Sequence, residues 1–148
     1  MSLSPARELG FSLHDVARLL RTLSDQRAGE VSMTRAQWAV LARLQRHQGA
    51  KQSELAEMLD LAPITLTRLI DKLCEAGLVE RRPDGEDRRA NRLFLTAGAG
   101  PTLKRLGALG EHLMGRALKG IEPETIADLR VQLEIIRDNL KSELNGKG

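Results

Sequence analysis

The apolar positions change period along the chain, and those changes mark its elements. After Pro5, the residues Leu9, Leu13, Val16, Ala17, Leu20 and Leu23 recur at spacings of three and four, which places them on one face of a helix. Leu19 widens the stripe, and Gly29 suits a stop. Thr34-Arg35-Ala36-Gln37 has the form of a capping box, in which hydroxyl and amide side chains satisfy two backbone N–H groups reciprocally. A second helix is expected from there to Gly49, with Trp38, Val40, Leu41 and Leu44 as its apolar positions. A third, short helix follows Lys51 and should turn Leu55, Met58 and Leu59 inward. Asp60-Leu61-Ala62 reads as a turn, with Leu61 plugging the gap between helices. Pro63 suits the first position of a fourth helix, which Gly77 closes. Leu66, Leu69, Ile70 and Leu73 form its inner face.

The pattern then shortens to extended runs. Leu78–Arg82 and Arg92–Thr96 are predicted strands, joined by the polar loop Pro83–Asn91. Helical spacing returns at Leu103, Leu106, Leu109, Leu113 and Leu118. Gly98, Gly100, Gly107, Gly110 and Gly115 are unusually frequent there, although each glycine costs a helix about 1 kcal/mol relative to alanine. Close helix approach and bending are both open explanations. Gly120 ends this helix. Glu122-Pro123-Glu124 starts a last one, whose stripe is Ile126, Leu129, Leu133, Ile136 and Leu140. Asn145 to Gly148 should fray.

Helix, turn, helix and hairpin in this order are the pattern of a winged helix-turn-helix. The expected fold is therefore mainly α with a small β-hairpin wing. An N-terminal arm at 5–33 and C-terminal helices at 97–145 flank the module at 34–96. Both flanks carry apolar stripes with little chain left to cover them. A second copy is the natural cover, so these are read as dimerisation helices and the protein as a homodimer. Two modules related by two-fold symmetry would read a pseudo-palindromic double-stranded DNA site, with half-sites about one helical turn apart.

Composition narrows the function. Aromatic residues are 2% of the chain, with no Tyr, which disfavours single-strand binding on stacking platforms. The formal charge of +3 permits a polyanionic partner without demanding one. No apolar run approaches the ~18 residues that span a bilayer, and no leader pattern opens the chain. A single Cys74 cannot form an internal disulfide or a metal cluster, so a cytoplasmic location is expected and Cys74 is read as a semi-buried small residue. There is no P-loop and no paired carboxylate in an apolar setting. His14, His47 and His112 are far apart. No enzyme activity, cofactor or metal is expected.

The candidate contacts lie on the fourth helix and the wing. The N-terminal part of the second helix of such a unit enters the major groove. Ile64, Thr65, Thr67, Arg68 and Lys72 occupy the faces left outside. Arginine suits guanine edges, and threonine can bond bases or phosphate. Ala62 offers no side-chain cap, which leaves the first amides of that helix open to a phosphate. Lys51 is a candidate phosphate contact. Between Arg81 and Arg92 there are five arginines against three acidic residues. Asp87, Arg88 and Arg89 form the tip, suited to phosphate and to a narrow minor groove. Asp87 is expected to hold the neighbouring guanidinium of Arg88 in one orientation. Trp38 has two open readings, as a core residue and as the wall of a ligand cavity. His14 is either a surface histidine or a pocket residue.

These residues resemble the MarR family of bacterial transcriptional regulators. The resemblance is carried by Gln52-Ser53-Glu54-Leu55-Ala56, Pro63, Thr67-Arg68-Leu69, Leu73, Glu75-Ala76-Gly77-Leu78-Val79, Arg81-Arg82, Asp87-Arg88-Arg89 and Leu95-Thr96. It implies a homodimer, DNA binding by the winged module, and repression relieved by a small phenolic or aromatic-acid effector. It also implies that the wing pair corresponds to Asp87 and Arg88, with Arg88 in the minor groove. A family cavity between arm and DNA module would make His14, Arg18 and Trp38 the ligand-binding candidates. Two departures stand out. Lys51 and Ala62 occupy helix starts where the family often has Ser or Thr. The N-terminal cysteine of peroxide-sensing members is absent, so no redox sensing is expected.

Overall fold

The computed structural model describes residues 1–146. It holds six α-helices and one antiparallel hairpin: α1 (Pro5–Gly29), α2 (Arg35–Arg46), α3 (Gln52–Leu59), α4 (Pro63–Glu75), β1 (Val79–Pro83), β2 (Asn91–Leu95), α5 (Gly100–Ala117) and α6 (Pro123–Asn145). A single 3-10 turn at Ala97–Ala99 leads into α5. The chain forms two compact units, residues 1–110 and the segment from Glu111 onward. All elements of the winged module lie in the first.

Local chemistry explains most boundaries. The capping box forms: Gln37 N–H donates to Thr34 Oγ1 at 3.1 Å and Thr34 N–H to Gln37 Oε1 at 3.0 Å. α2 nevertheless ends at Arg46, short of the expected Gly49. The reason is tertiary, because Gly49 N–H donates to the Leu93 carbonyl on β2 at 2.9 Å. Gly49 takes a left-handed φ of +82° to do so. α3 ends at Asp60, also left-handed at φ 52°. Pro63 opens α4, and Gly77 at φ +74° closes it. Each strand starts one residue from its expected position, and Pro83 pairs with Asn91 at the loop end of the ladder, where its missing N–H is tolerated.

The core is built on α2, α3, α4 and β2. Val40, Leu41, Leu44, Leu55, Leu66, Ile70, Leu73 and Leu93 are almost wholly inaccessible, each contributing about 1.5–3 kcal/mol by burial. Leu69, Leu61 and Trp38 pack against its edge, as does Leu103 of α5, while Leu106 of α5 is buried in it. Met58 does not belong to it. Ala56 takes the expected place of Met58, which stays exposed. The inner face of α3 is centred on Leu55, Ala56 and Leu59, and at about 100° per residue Met58 falls to its side. Among the α5 glycines, Gly107 and Gly115 face open space, and a Cβ at Gly110 would sit in ordinary contact, 3.6 Å from the Trp38 ring. Close approach within the chain therefore does not require them.

The flanking helices expose apolar faces. On α1 only Ala28 is buried, while Leu9, Phe11, Val16 and Leu19 are 51–58% exposed. Arg35 of α2 pairs with Asp25 of α1 at 3.0 Å. α6 buries no residue and exposes Leu129, Val131, Leu133, Ile135 and Leu140. It extends to Asn145 with Gly146 as its cap; the expected fraying of Lys147 and Gly148 lies outside the described residues. Among the described residues, no helix is long and apolar enough to cross a membrane.

Two glycines allow a graded test of the backbone. Gly77→Ala meets no neighbouring atom and should cost about 1–2 kcal/mol for its left-handed backbone alone. Gly49→Ala adds a Cβ 3.3 Å from the Phe94 ring, so its penalty should be larger, about 2–4 kcal/mol. Urea denaturation at equal protein concentration measures both, and Gly49→Ala should have the lower midpoint.

Candidate nucleic-acid interface

The outward side of α4 begins at a bare helix end. Ala62 is the N-cap without a side-chain bond, and Pro63 contributes no N–H. Ile64 is 64% exposed, and Thr65, Arg68 and Lys72 are exposed beside it. Ile64, Arg68 and Lys72 stand four residues apart, so they line one ridge with Thr65 next to its N-terminal end.

Thr67 has a different environment. Its hydroxyl accepts from Gln52 Nε2 at 2.9 Å and donates to the Pro63 carbonyl at 2.9 Å. Gln52 Oε1 in turn accepts from Arg81 Nε at 3.3 Å. The Arg81 guanidinium also reaches the Thr67 carbonyl at 3.5 Å and pairs with Asp71. A polar chain thus runs from α3 through α4 to β1. Half-buried and engaged in both directions, Thr67 holds the two helices in register.

The wing sorts its arginines in the same way. Arg82 pairs with Glu80 and lies over the Phe94 ring, 4.1 Å from its centroid. Arg92 donates to Asp84 Oδ1 at 3.2 Å and to the Gly49 carbonyl at 2.9 Å. Lys51 Nζ stands 3.5 Å from Asp84 Oδ2. Among the described residues, Arg68, Lys72, Arg88 and Arg89 have no carboxylate within 4.0 Å. They are the cations left available on the module's α4 and wing. Asp87 does not hold the Arg88 guanidinium as expected. Its Oδ1 accepts the backbone N–H of Arg89 at 3.0 Å, because the loop turns there and brings that amide under the carboxylate. Asp87 therefore shapes the wing tip through the backbone.

Among the described residues, Asp84 is the charged residue most removed from solvent, 9% exposed. Burial pushes its carboxyl pKa up. The Arg92 hydrogen bond, the Glu86 amide and the charges of Arg92 and Lys51 outweigh this and hold it below the ordinary value of 3.8. A polar hollow of about 310 Å³ lies between the start of α3 (Lys51, Gln52, Ser53) and the wing (Asp87, Arg89, Ala90, Asn91).

The ligand-binding candidates do not meet within the chain. His14 lines a hollow with Arg7, Gly10 and Phe11. Trp38 lines another with Ser24, Arg35, Ala39 and Ala42. Arg18 is exposed and paired with Asp15 at 3.3 Å. Among the described residues, no group of His, Cys, Asp and Glu could hold a metal. Sequence reading missed Gln52, Asp71, Arg81, Asp84 and Arg92 as the polar frame of the module. Hairpin register could have suggested one pair, since Pro83 opposite Asn91 places Asp84 and Arg92 at neighbouring positions.

Two helices in a tight turn, with a hairpin packed on them and an exposed second helix, define a winged helix-turn-helix protein. The MarR family model matches residues 33–90. The transcriptional regulator PA3341 is 32% identical, with a TM-score of 0.81 over 90% of this chain and 98% of that one. Wild-type MarR from E. coli in its apo form is 26% identical, with a TM-score of 0.75 over 92% and 98%. A mutant MarR from E. coli, solved in complex with operator DNA, is 27% identical, with a TM-score of 0.74 over 87% and 93%. The chain belongs to the MarR family of transcriptional regulators.

The Asp84 pairing predicts a pH effect of defined sign. A carboxyl lowered in the folded state contributes stability that is complete above its unfolded pKa, near 3.8, and is lost as pH falls through the folded value. Asp84→Asn should flatten the fall of stability below about pH 4, measured by urea midpoints across an acid series.

Proposed function

We propose that this protein is a homodimeric, sequence-specific regulator that binds double-stranded DNA. The carrying observation is the sorting of polar side chains on the module. Arg81, Arg82 and Arg92 are engaged within the protein, whereas Thr65, Arg68, Lys72, Arg88 and Arg89 are exposed. Ile64, Thr65 and Arg68 enter the major groove, with Lys72 along the same ridge; Arg88 and Arg89 reach the minor groove or its phosphates. The open N-terminus of α4 suits a phosphate. The operator complex of the E. coli relative supports this reading.

The exposed apolar faces of α1 and α6 are the dimerisation surfaces. Two-fold pairing makes the operator pseudo-palindromic. The protein acts in the cytoplasm as a repressor, released by a small aromatic acid or phenol. His14, Arg18 and Trp38 are the contacts proposed for that effector. The two hollows seen in one protomer would then act as parts of a dimer-dependent site. No catalytic role is assigned to any residue.

Sedimentation at micromolar concentration should give a dimer mass; a monomer alone would refute the dimer architecture. Arg88→Ala should weaken binding to a promoter fragment and make the log–log salt slope shallower by about 0.9. Affinity and slope equal to the parent's would remove Arg88 from the interface. Arg68→Ala should lose about 1–3 kcal/mol of discrimination at one base position, read by selection from a randomised duplex pool.

A further inference from the structure

Asp84 is buried where the wing loop leaves β1, with two cations on it, one from each side. Arg92 comes from β2 and also binds the Gly49 carbonyl. Lys51 comes from the cap of α3. The Asp84 side chain is only 6% exposed, whereas Lys51 and Arg92 are 34% and 41% exposed. Both cations therefore border solvent while their charge is opposed from beneath. The same carboxylate accepts the Glu86 amide at 3.5 Å, and the Asp84 N–H donates to the Ala90 carbonyl at 3.0 Å. Asp84 consequently joins the α3 cap, β2 and both sides of the wing loop that carries Arg88 and Arg89.

Two effects follow on a module that meets a polyanion. The carboxylate offsets charge on Lys51 and Arg92, reducing the attraction to phosphate that every sequence supplies equally. It also sets where the wing tip stands relative to α4, so major- and minor-groove contacts are made in one register. We infer that Asp84 is a specificity-determining positioning residue, which holds the wing to α3 and withholds Lys51 and Arg92 from indiscriminate phosphate binding. This inference rests on the DNA-binding reading above.

The test compares two duplexes of equal length: one enriched from a random pool by the parent protein, and one unselected. Affinity for each is measured across a salt series, with folding checked by circular dichroism. Asp84→Asn should bind the unselected duplex more tightly, steepen the salt slope by one to two contacts, and lower the selected-to-unselected ratio several-fold. The double variant Asp84→Asn with Arg92→Gln restores the charge balance. Its slope should return toward the parent's while its ratio stays low, which separates position from charge. A ratio equal to the parent's in Asp84→Asn overturns the inference, whatever the absolute affinities. If Asp84→Asn does not fold, Arg92→Gln alone decides: it cuts the ties to Asp84 and Gly49, so the ratio should fall, and a parental ratio overturns the inference. Failure of the parent to bind either duplex would instead overturn the DNA-binding reading.

Discussion

The module depends on one short segment, residues 48–51, laid along β2. Gly49 N–H donates to Leu93 and Leu93 N–H donates to Ala50, both at 2.9 Å. The Gln48 side chain accepts from Leu95 N–H at 2.9 Å, and Arg92 binds the Gly49 carbonyl. A wing is only two strands, and an isolated two-stranded hairpin is marginal in water. The connector between α2 and α3 gives it a third line of backbone bonds. The orientation of the hairpin is thereby set by the same residues that start α3. The left-handed Gly49 makes this geometry accessible, and the Phe94 ring lies against it.

From that constraint, the division of charged residues follows. Arginines on the hairpin strands find partners within the protein: Arg81 on α3 and α4, Arg92 on Asp84 and the connector. Arginines at the tip have left the fold behind and find none. The Asp71 pair is exposed, and exposed ion pairs are worth little individually, so its value lies in orientation; Asp84 is buried and held by two cations. An arginine tied within the protein also has fewer donors to offer a phosphate. The module thus separates cations that build it from cations that it presents, although both kinds alternate along a few residues.

Elements were legible in sequence where burial follows period. Leu66, Ile70 and Leu73 are inside because they fall on one side of a helix, and the Thr34–Gln37 capping box depends on adjacent residues alone. The end of α2 was not legible, since Gly49 gives its N–H to a residue 44 positions away. Met58 sat beside a narrow stripe that a three-and-four rule blurs. Thr67 shares the outer side of α4 with Thr65 in sequence, and only its distant partner Gln52 sets it apart. Asp87 and Arg88 are neighbours in sequence, yet the turn presents the Arg89 amide to the carboxylate. Counting arginines identified a basic wing but gave no means of knowing which were already engaged. His14, Arg18 and Trp38 sit apart within the chain, and no local pattern could have shown their separation.

The central claim is that one protein face reads both grooves, through α4 and through the wing tip held in register by the connector. Methylation interference on a selected operator measures both grooves at once, because guanine N7 lies in the major groove and adenine N3 in the minor. The account predicts two clusters of guanine N7 interference about one helical turn apart, each accompanied by adenine N3 interference where the wing tip lies. No interference at guanine N7, or interference at guanine N7 without any adenine N3 signal, would contradict it.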